Sequence, residues 1–311
     1  MHLIVPFASA LGDDAAAVRA DLELPVLAAL LQRVAAGERD DGDETSYSPP
    51  HERALARAVG LAGGDGTLPW AAWRAAALGL EIGDLAWAEV TPVHFAIGRD
   101  SVTLTDPARL DLDESTGREL FEAVRPLFVD DGIALEWGGP GRWFAAHESL
   151  ADLRCASIDR ATGRRLEAWA PQGPGARRAL RLQNEVQMLL YQHPAYDGRL
   201  AAGQVPVNSV WWSGCGRRVP AAHVPEGLVV DERLRGPALA GDWSAWREAW
   251  RALDDGPVRH ALDRARDGLP VQVVLCGERS SVTLAGAAGS WIDRLRRRVT
   301  APDVAALLGT L

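Results

Sequence analysis

Leu3-Ile4-Val5-Pro6-Phe7 near the start of the chain and Val271-Gln272-Val273-Val274-Leu275 near its end are short, nearly unbroken apolar runs rich in β-branched residues. Each reads as a buried strand. Helical sequence surrounds both. After Ala8-Ser9-Ala10-Leu11-Gly12 an Ala/Leu-rich stretch predicts a helix to about Ala36, and Gly37 to Glu44 reads as an acidic, solvated loop. Pro49-Pro50-His51-Glu52-Arg53 sets proline at a helix start, with Ala54, Leu55, Ala58 and Val59 as its apolar side; Leu68 to Leu80 predicts another helix. Towards the other end come a Trp-rich helix (Trp243, Trp246, Trp250), an alternating run from Ser281 to Ala285, and a last helix carrying Arg294, Arg296, Arg297 and Arg298.

The middle of the chain has a different pattern. Ala86 to Phe95 and Ser101 to Leu104 are strand-like runs around the turn Gly98-Arg99-Asp100. Thr116 and Glu119 have capping-box spacing, and Leu120, Val124, Leu127 and Phe128 follow at helical intervals, with Pro126 expected to kink or end that helix. Gly132 to Trp137 and Arg142 to Ala146 read as two further strands, and Pro171 to Gly175 returns the chain to the main body. Strands alternating with helices at both ends, interrupted by a compact strand-rich segment, predict an α/β fold: a core domain of residues 1–88 and 172–311 with an α+β subdomain inserted at 89–171.

Composition excludes several function classes. Among 311 residues there are 33 cationic side chains, all Arg, against 42 carboxylates, for a net charge of −9. Without lysine there is no Schiff-base, P-loop or kinase-type lysine. An acidic chain lacks the electrostatic footprint of a general nucleic-acid binder. No apolar run is long enough to span a bilayer, and the start lacks the charged n-region of a secretory signal, so no membrane partner is expected. Cys155, Cys215 and Cys276 are odd in number and widely spaced. They suit neither a disulfide framework nor a zinc site, and a cytoplasmic setting follows.

Four groups of residues are candidates for ligand contact. Asn184 and Gln187 share a face with Tyr191 on a sparsely charged helix that stops at His193-Pro194. Asn208 lies in a strand read as Val205 to Trp212, and Ser213-Gly214-Cys215-Gly216 at its end has the small residues of an anion-binding nest or of a tight turn. Glu278 and Arg279 follow the strand Val271 to Leu275, again at a carboxyl end. His51, beside Glu52 at a helix start, is the remaining candidate. The seven histidines are dispersed without metal-ligand spacing, so no metal and no cofactor are expected.

His193-Pro194-Ala195-Tyr196, followed by Gly203-Gln204-Val205-Pro206-Val207-Asn208-Ser209-Val210-Trp211, resembles a segment of the archaeal-type cofactor-independent phosphoglycerate mutases. Over nearly its whole length the chain also resembles the bacterial RpfE-type regulatory proteins, through His2 to Ala8, Ser48 to Arg53, Asn184 to Met188 and Leu275 to Arg279. The first resemblance implies an alkaline-phosphatase-like sheet flanked by helices and chemistry through two metal ions and a Ser or Thr nucleophile. At the positions matching that family's ligands this chain has Pro6-Phe7 and Gly277-Glu278-Arg279, and proline cannot ligate a metal. The expectation is therefore a non-catalytic protein that binds a small anionic metabolite or a protein partner. The alternative is a divergent phosphomutase or phosphatase acting on a small phosphorylated or carboxylated metabolite. The Trp-rich helix and Arg294 to Arg298 are the surfaces an interaction module would use, although a structural or solvated role is the expectation for the arginines.

Overall fold

The computed structural model describes residues 1–81, 83–286 and 303–311. In chain order the elements are β1 (His2–Val5), α1 (Asp13–Ala20), α2 (Pro25–Leu31), β2 (Val34–Asp40) and α3 (Pro50–Val59). There follow α4 (Trp70–Ala77), β3 (Trp87–Val93), β4 (Phe95–Ile97), β5 (Val102–Leu104), α5 (Glu114–Asp130), β6 (Ala134–Trp137), β7 (Trp143–Ala146), α6 (Ile158–Ala161), α7 (Ala176–Gln192), α8 (Pro194–Ala201) and β8 (Ser209–Gly216). The chain closes with β9 (Leu228–Val230), α9 (Arg235–Ala240), α10 (Trp243–Leu253), α11 (Arg259–Arg266), β10 (Gln272–Cys276), β11 (Ser281–Gly286) and α12 (Val304–Gly309). Two compact units result, Met1–Val59 with His223–Leu311, and Gly60–Ala222. The sequence predicts an inserted subdomain at 89–171; the second unit also includes α4, α7, α8 and β8.

The first unit is built on a mixed sheet in the order β2-β11-β10-β1-β9, with β1 parallel to both its neighbours and β11 antiparallel to β10 and β2. After their first residues, His2 and Gln272, the central strands β1 and β10 are apolar because both faces are covered. Leu3 and Val5 pack with Leu27, Leu30, Trp246 and Trp250, whereas Ile4, Val274 and Cys276 pack with Ala54 of α3.

Two expectations about this unit are corrected. The predicted helix to Ala36 is two short helices and a strand: Pro25 begins α2 at its first position, and β2 takes residues assigned by sequence to helix and acidic loop. An edge strand joins its sheet through backbone hydrogen bonds, so its mostly exposed side chains need no apolar pattern. The Trp-rich helix is also no surface feature, since Trp246 and Trp250 are fully buried and Trp243 packs against the same core. Residues 294–298, the arginine run, lie outside the described residues.

The second unit holds an antiparallel sheet in the order β6-β7-β3-β8 and a separate β4-β5 hairpin. One face packs Ala88, Val90, Val210 and Trp212 on Leu120, Val124 and Phe128 of α5 and Leu182, Val186 and Leu190 of α7. The other presents Trp87, Phe144 and Ala146 to Ala71, Ala72 and Ala75 of α4. Helix α5 departs from expectation at both ends. Its cap is Asp113, whose carboxylate accepts from the Thr116 amide at 2.8 Å, so Thr116 is not the cap itself. The helix also runs through Pro126 to Asp130; Pro126 is exposed, so the carbonyl it leaves without a donor can be hydrated.

Candidate functional site

The carboxyl ends of the parallel strands are where an open α/β sheet binds its ligands. In the first unit they are shaped by Phe7, which follows β1 with a left-handed φ of 55°. For a bulky residue that conformation costs roughly 1–2 kcal/mol. It is held by Trp246 Nε1, which donates to the Phe7 carbonyl at 3.0 Å, and by the Ala8 amide, which donates to the Cys276 carbonyl at 2.8 Å. The His51 ring lies against the Phe7 ring with centroids 5.1 Å apart.

Arg19 of α1 donates to Ser9 Oγ at 3.2 Å and to the Ala10 carbonyl at 3.1 Å. The Leu11 amide donates to Glu278 Oε2 at 2.8 Å, tying the β1 loop to the β10–β11 turn. That turn closes through the Gly277 amide and the Ser280 carbonyl at 2.9 Å, while the Arg279 and Ser280 amides donate to the Leu311 carbonyl at 3.0 and 2.9 Å. Arg53 donates to the carbonyls of Ser48 at 2.7 Å and Arg279 at 3.3 Å, and pairs with Asp40 at 2.9 Å. Burial of Asp40 favours its neutral form, but hydrogen bonds from Arg53 and Arg57 override that and hold the carboxyl below its ordinary range. Beneath them, burial pushes the Cys276 thiol far up, so it is protonated and inert. The half-buried Arg279 guanidinium makes no hydrogen bond or ion pair among the described residues.

Of the residues singled out from sequence, His51, Glu278 and Arg279 stand at these strand ends. The other seven belong to the second unit, where most have visible structural work. Asn208 is fully buried; its Oδ1 accepts from the Phe95 amide at 2.7 Å, and its Nδ2 donates to the Phe95 carbonyl at 3.0 Å and to the Tyr191 hydroxyl at 3.1 Å. Ser213, Gly214 and Gly216 lie inside β8, which runs past the predicted end at Trp212. Gly214 has φ 62°, and a Cβ there would stand 2.9 Å from Trp70 Cβ and 3.0 Å from the Ala71 amide nitrogen. These small residues let β8 press on the start of α4. His193 caps α8, its Nδ1 accepting from the Ala195 amide at 3.3 Å; Asn184 is exposed and Gln187 half-buried.

One charged cluster of the second unit escaped the sequence reading. Glu89 of β3 is buried, 2.6 Å from Arg74 of α4 and 3.0 Å from Arg142 before β7. Burial alone would raise its pKa; the two guanidinium groups outweigh that and lower it. The signal was a lone carboxylate inside the apolar run Trp87 to Val93, which must find cations when buried.

No family model matches the chain. A probable 2,3-bisphosphoglycerate-independent phosphoglycerate mutase of Geobacter sulfurreducens is 30% identical over 160 residues, 50% of this chain and 40% of that protein. The chain is distantly similar to the cofactor-independent phosphoglycerate mutases. Among solved structures, such a mutase from Thermoplasma acidophilum aligns at TM-score 0.36 and 15% identity over 93% of this chain and 90% of that one. A Pyrococcus horikoshii protein aligns at TM-score 0.45 and 12% identity over 94% and 89%.

The resemblance implies a two-metal centre, which needs several carboxylates and imidazoles converging on one point. Among the described residues the strand ends do not bring such a set together. Phe7 is apolar, Glu278 already accepts an amide, and Arg279 is a cation. Among the described residues no three His, Cys, Asp or Glu side chains come together as a metal site. Ser9 Oγ accepts from the Arg19 guanidinium, a cation and not a base that could take its proton. The donor set does not fit the metals.

Proposed function

We propose that the chain is a non-catalytic, metal-free regulatory protein of the RpfE type, carried on a phosphoglycerate-mutase-like scaffold, which binds a small anionic metabolite at the carboxyl ends of β1 and β10. The side chains at those ends carry the reading: Phe7 offers a phenyl ring and Arg279 a guanidinium where the resemblance calls for metal ligands. Arg279 is the anion contact, because a half-buried guanidinium without an acceptor among the described residues is a ready partner for a carboxylate or phosphate. His51, against Phe7, flanks it. Three buried free thiols suit a reducing cytoplasm. The net charge of −9 argues against nucleic acid as the partner.

A second reading, a divergent phosphomutase or phosphatase, draws on the 30% identity to the Geobacter mutase. The two separate in a coupled assay with 3-phosphoglycerate and added Mn²⁺, alongside calorimetric titration with inorganic phosphate. The first reading expects no turnover and a phosphate affinity that falls when Arg279 is replaced by Met. Turnover that is lost in Ser9→Ala would establish the second.

A further inference from the structure

A cleft of about 360 Å³ opens in the second unit, well away in sequence from the strand-end residues. Its walls come from His94 and Ala96 around the start of β4, Thr105 and Arg109 after β5, Tyr196 and Leu200 of α8, and the loop Gly203 to Pro206. The volume is at the lower end of small-molecule sites, the size of a metabolite.

The cleft is held in shape by buried groups behind it. The Asn208 amide clamps both the N–H and the C=O of Phe95, the residue between His94 and Ala96. The Thr105 amide donates to the His94 carbonyl at 3.0 Å, joining two walls. Arg199, buried beneath, donates to the Val205 carbonyl at 2.9 Å and to the Leu110 carbonyl, so it fixes the loop and the segment bearing Arg109 together. Tyr191 and Tyr196 pack with ring centroids 5.1 Å apart.

What these walls present is chemically specific. His94 Nδ1 lies 2.9 Å from the Pro206 carbonyl, an acceptor, so Nδ1 carries the proton and Nε2 is left as an acceptor. Burial lowers the His94 pKa and keeps the ring neutral near pH 7. Burial likewise raises the Tyr196 pKa, so its hydroxyl remains a donor. Arg109 is exposed, and its guanidinium has no hydrogen bond or ion pair among the described residues. An acceptor of this kind wants an O–H or N–H donor, whereas the guanidinium fork wants a carboxylate or phosphate.

We infer that this cleft is a second binding site, for a small organic anion that also carries a hydroxyl group: the anion on Arg109, the hydroxyl on His94 Nε2. Apolar contacts from Ala96, Leu200 and Pro206 take the carbon skeleton. The inference does not depend on the proposal for the β1 and β10 ends.

The test is calorimetric titration of the whole chain with L-malate, with succinate, which lacks only the hydroxyl, and with glycerol 3-phosphate, which replaces carboxylate by phosphate. Malate or glycerol 3-phosphate is expected to bind, and succinate to bind about tenfold more weakly than malate if the carboxylate is the preferred anion. Arg109→Ala, a change at an exposed position, is expected to weaken binding by about tenfold or more, both in the unaltered chain and in an Arg279→Met background where the strand-end arginine cannot contribute. The inference is overturned if neither hydroxylated anion binds, if Arg109→Ala binds as well as the unaltered chain, or if the Arg279 change alone removes binding. Succinate binding as tightly as malate would remove the hydroxyl from the account.

Discussion

Asn208 reaches across from the start of β8 and closes a two-point hydrogen-bonded ring with the backbone of Phe95, as another strand residue would. A side-chain amide is the one neutral group with donor and acceptor at the right spacing for this. The residue that looked from sequence like a ligand contact is therefore a brace for β4.

Replacing Asn208 by Ala leaves a buried amide and a buried carbonyl without partners, each worth about 1–3 kcal/mol. The variant is expected to lose roughly 3 kcal/mol in urea unfolding at an unchanged m-value. Asn208→Asp should lose nearly as much, because a carboxylate cannot donate to the Phe95 carbonyl. A loss within experimental error for Asn208→Ala would contradict the bracing role.

Glu89 links stability to acid. Its burial penalty is outweighed by Arg74 and Arg142, so its pKa in the folded chain lies below the unfolded value. The stabilisation is present above the unfolded pKa, near 4.3, and is lost as pH falls through the folded one. Glu89→Gln is expected to cost about 2 kcal/mol at pH 7, less than a fully buried pair because Arg142 is half exposed. The difference between the two proteins should narrow as denaturation curves are taken to acid pH. A gap independent of pH would show that the charge of Glu89 is not what matters.

The thiols should be silent. Cys155, Cys215 and Cys276 are all buried, and Cys215 Sγ lies 3.5 Å from Cys155 Sγ. Burial, followed by the neighbouring Cys215, raises the Cys155 pKa, and burial raises that of Cys276. A thiol-reactive disulfide reagent at pH 8 is expected to label none of them in the folded chain and all three after unfolding. Rapid labelling of the native protein would mean that one of them is open to solvent.

The parts of the fold legible in the sequence are those whose burial leaves a mark. Leu3 to Val5 and Val273 to Leu275 are apolar at consecutive positions because helices cover both faces, and that pattern needs no neighbour to be read. Strand β2 leaves no such mark: its residues Glu38 and Arg39 are exposed and its place is set by β11. Pro126 misled because its effect depends on which face of α5 it occupies. At the site, the glycines of β8 were visible as small residues, but only the approach of Trp70 and Ala71 shows what they make room for. Arg279 was legible at a strand end; that its guanidinium finds no partner among the described residues is a property of the folded chain.

In the function proposed above, the ends of β1 and β10 carry an anion-binding arginine in place of a two-metal centre. Elemental analysis of the whole chain, purified without chelator and then equilibrated with Mn²⁺ and Zn²⁺ before desalting, tests it most directly. The donor set of Phe7, Ser9, Glu278 and Arg279 predicts only substoichiometric metal, with no change in melting temperature on metal addition. Retention of two equivalents of transition metal, lost again on replacing Glu278 by Ala, would contradict the account.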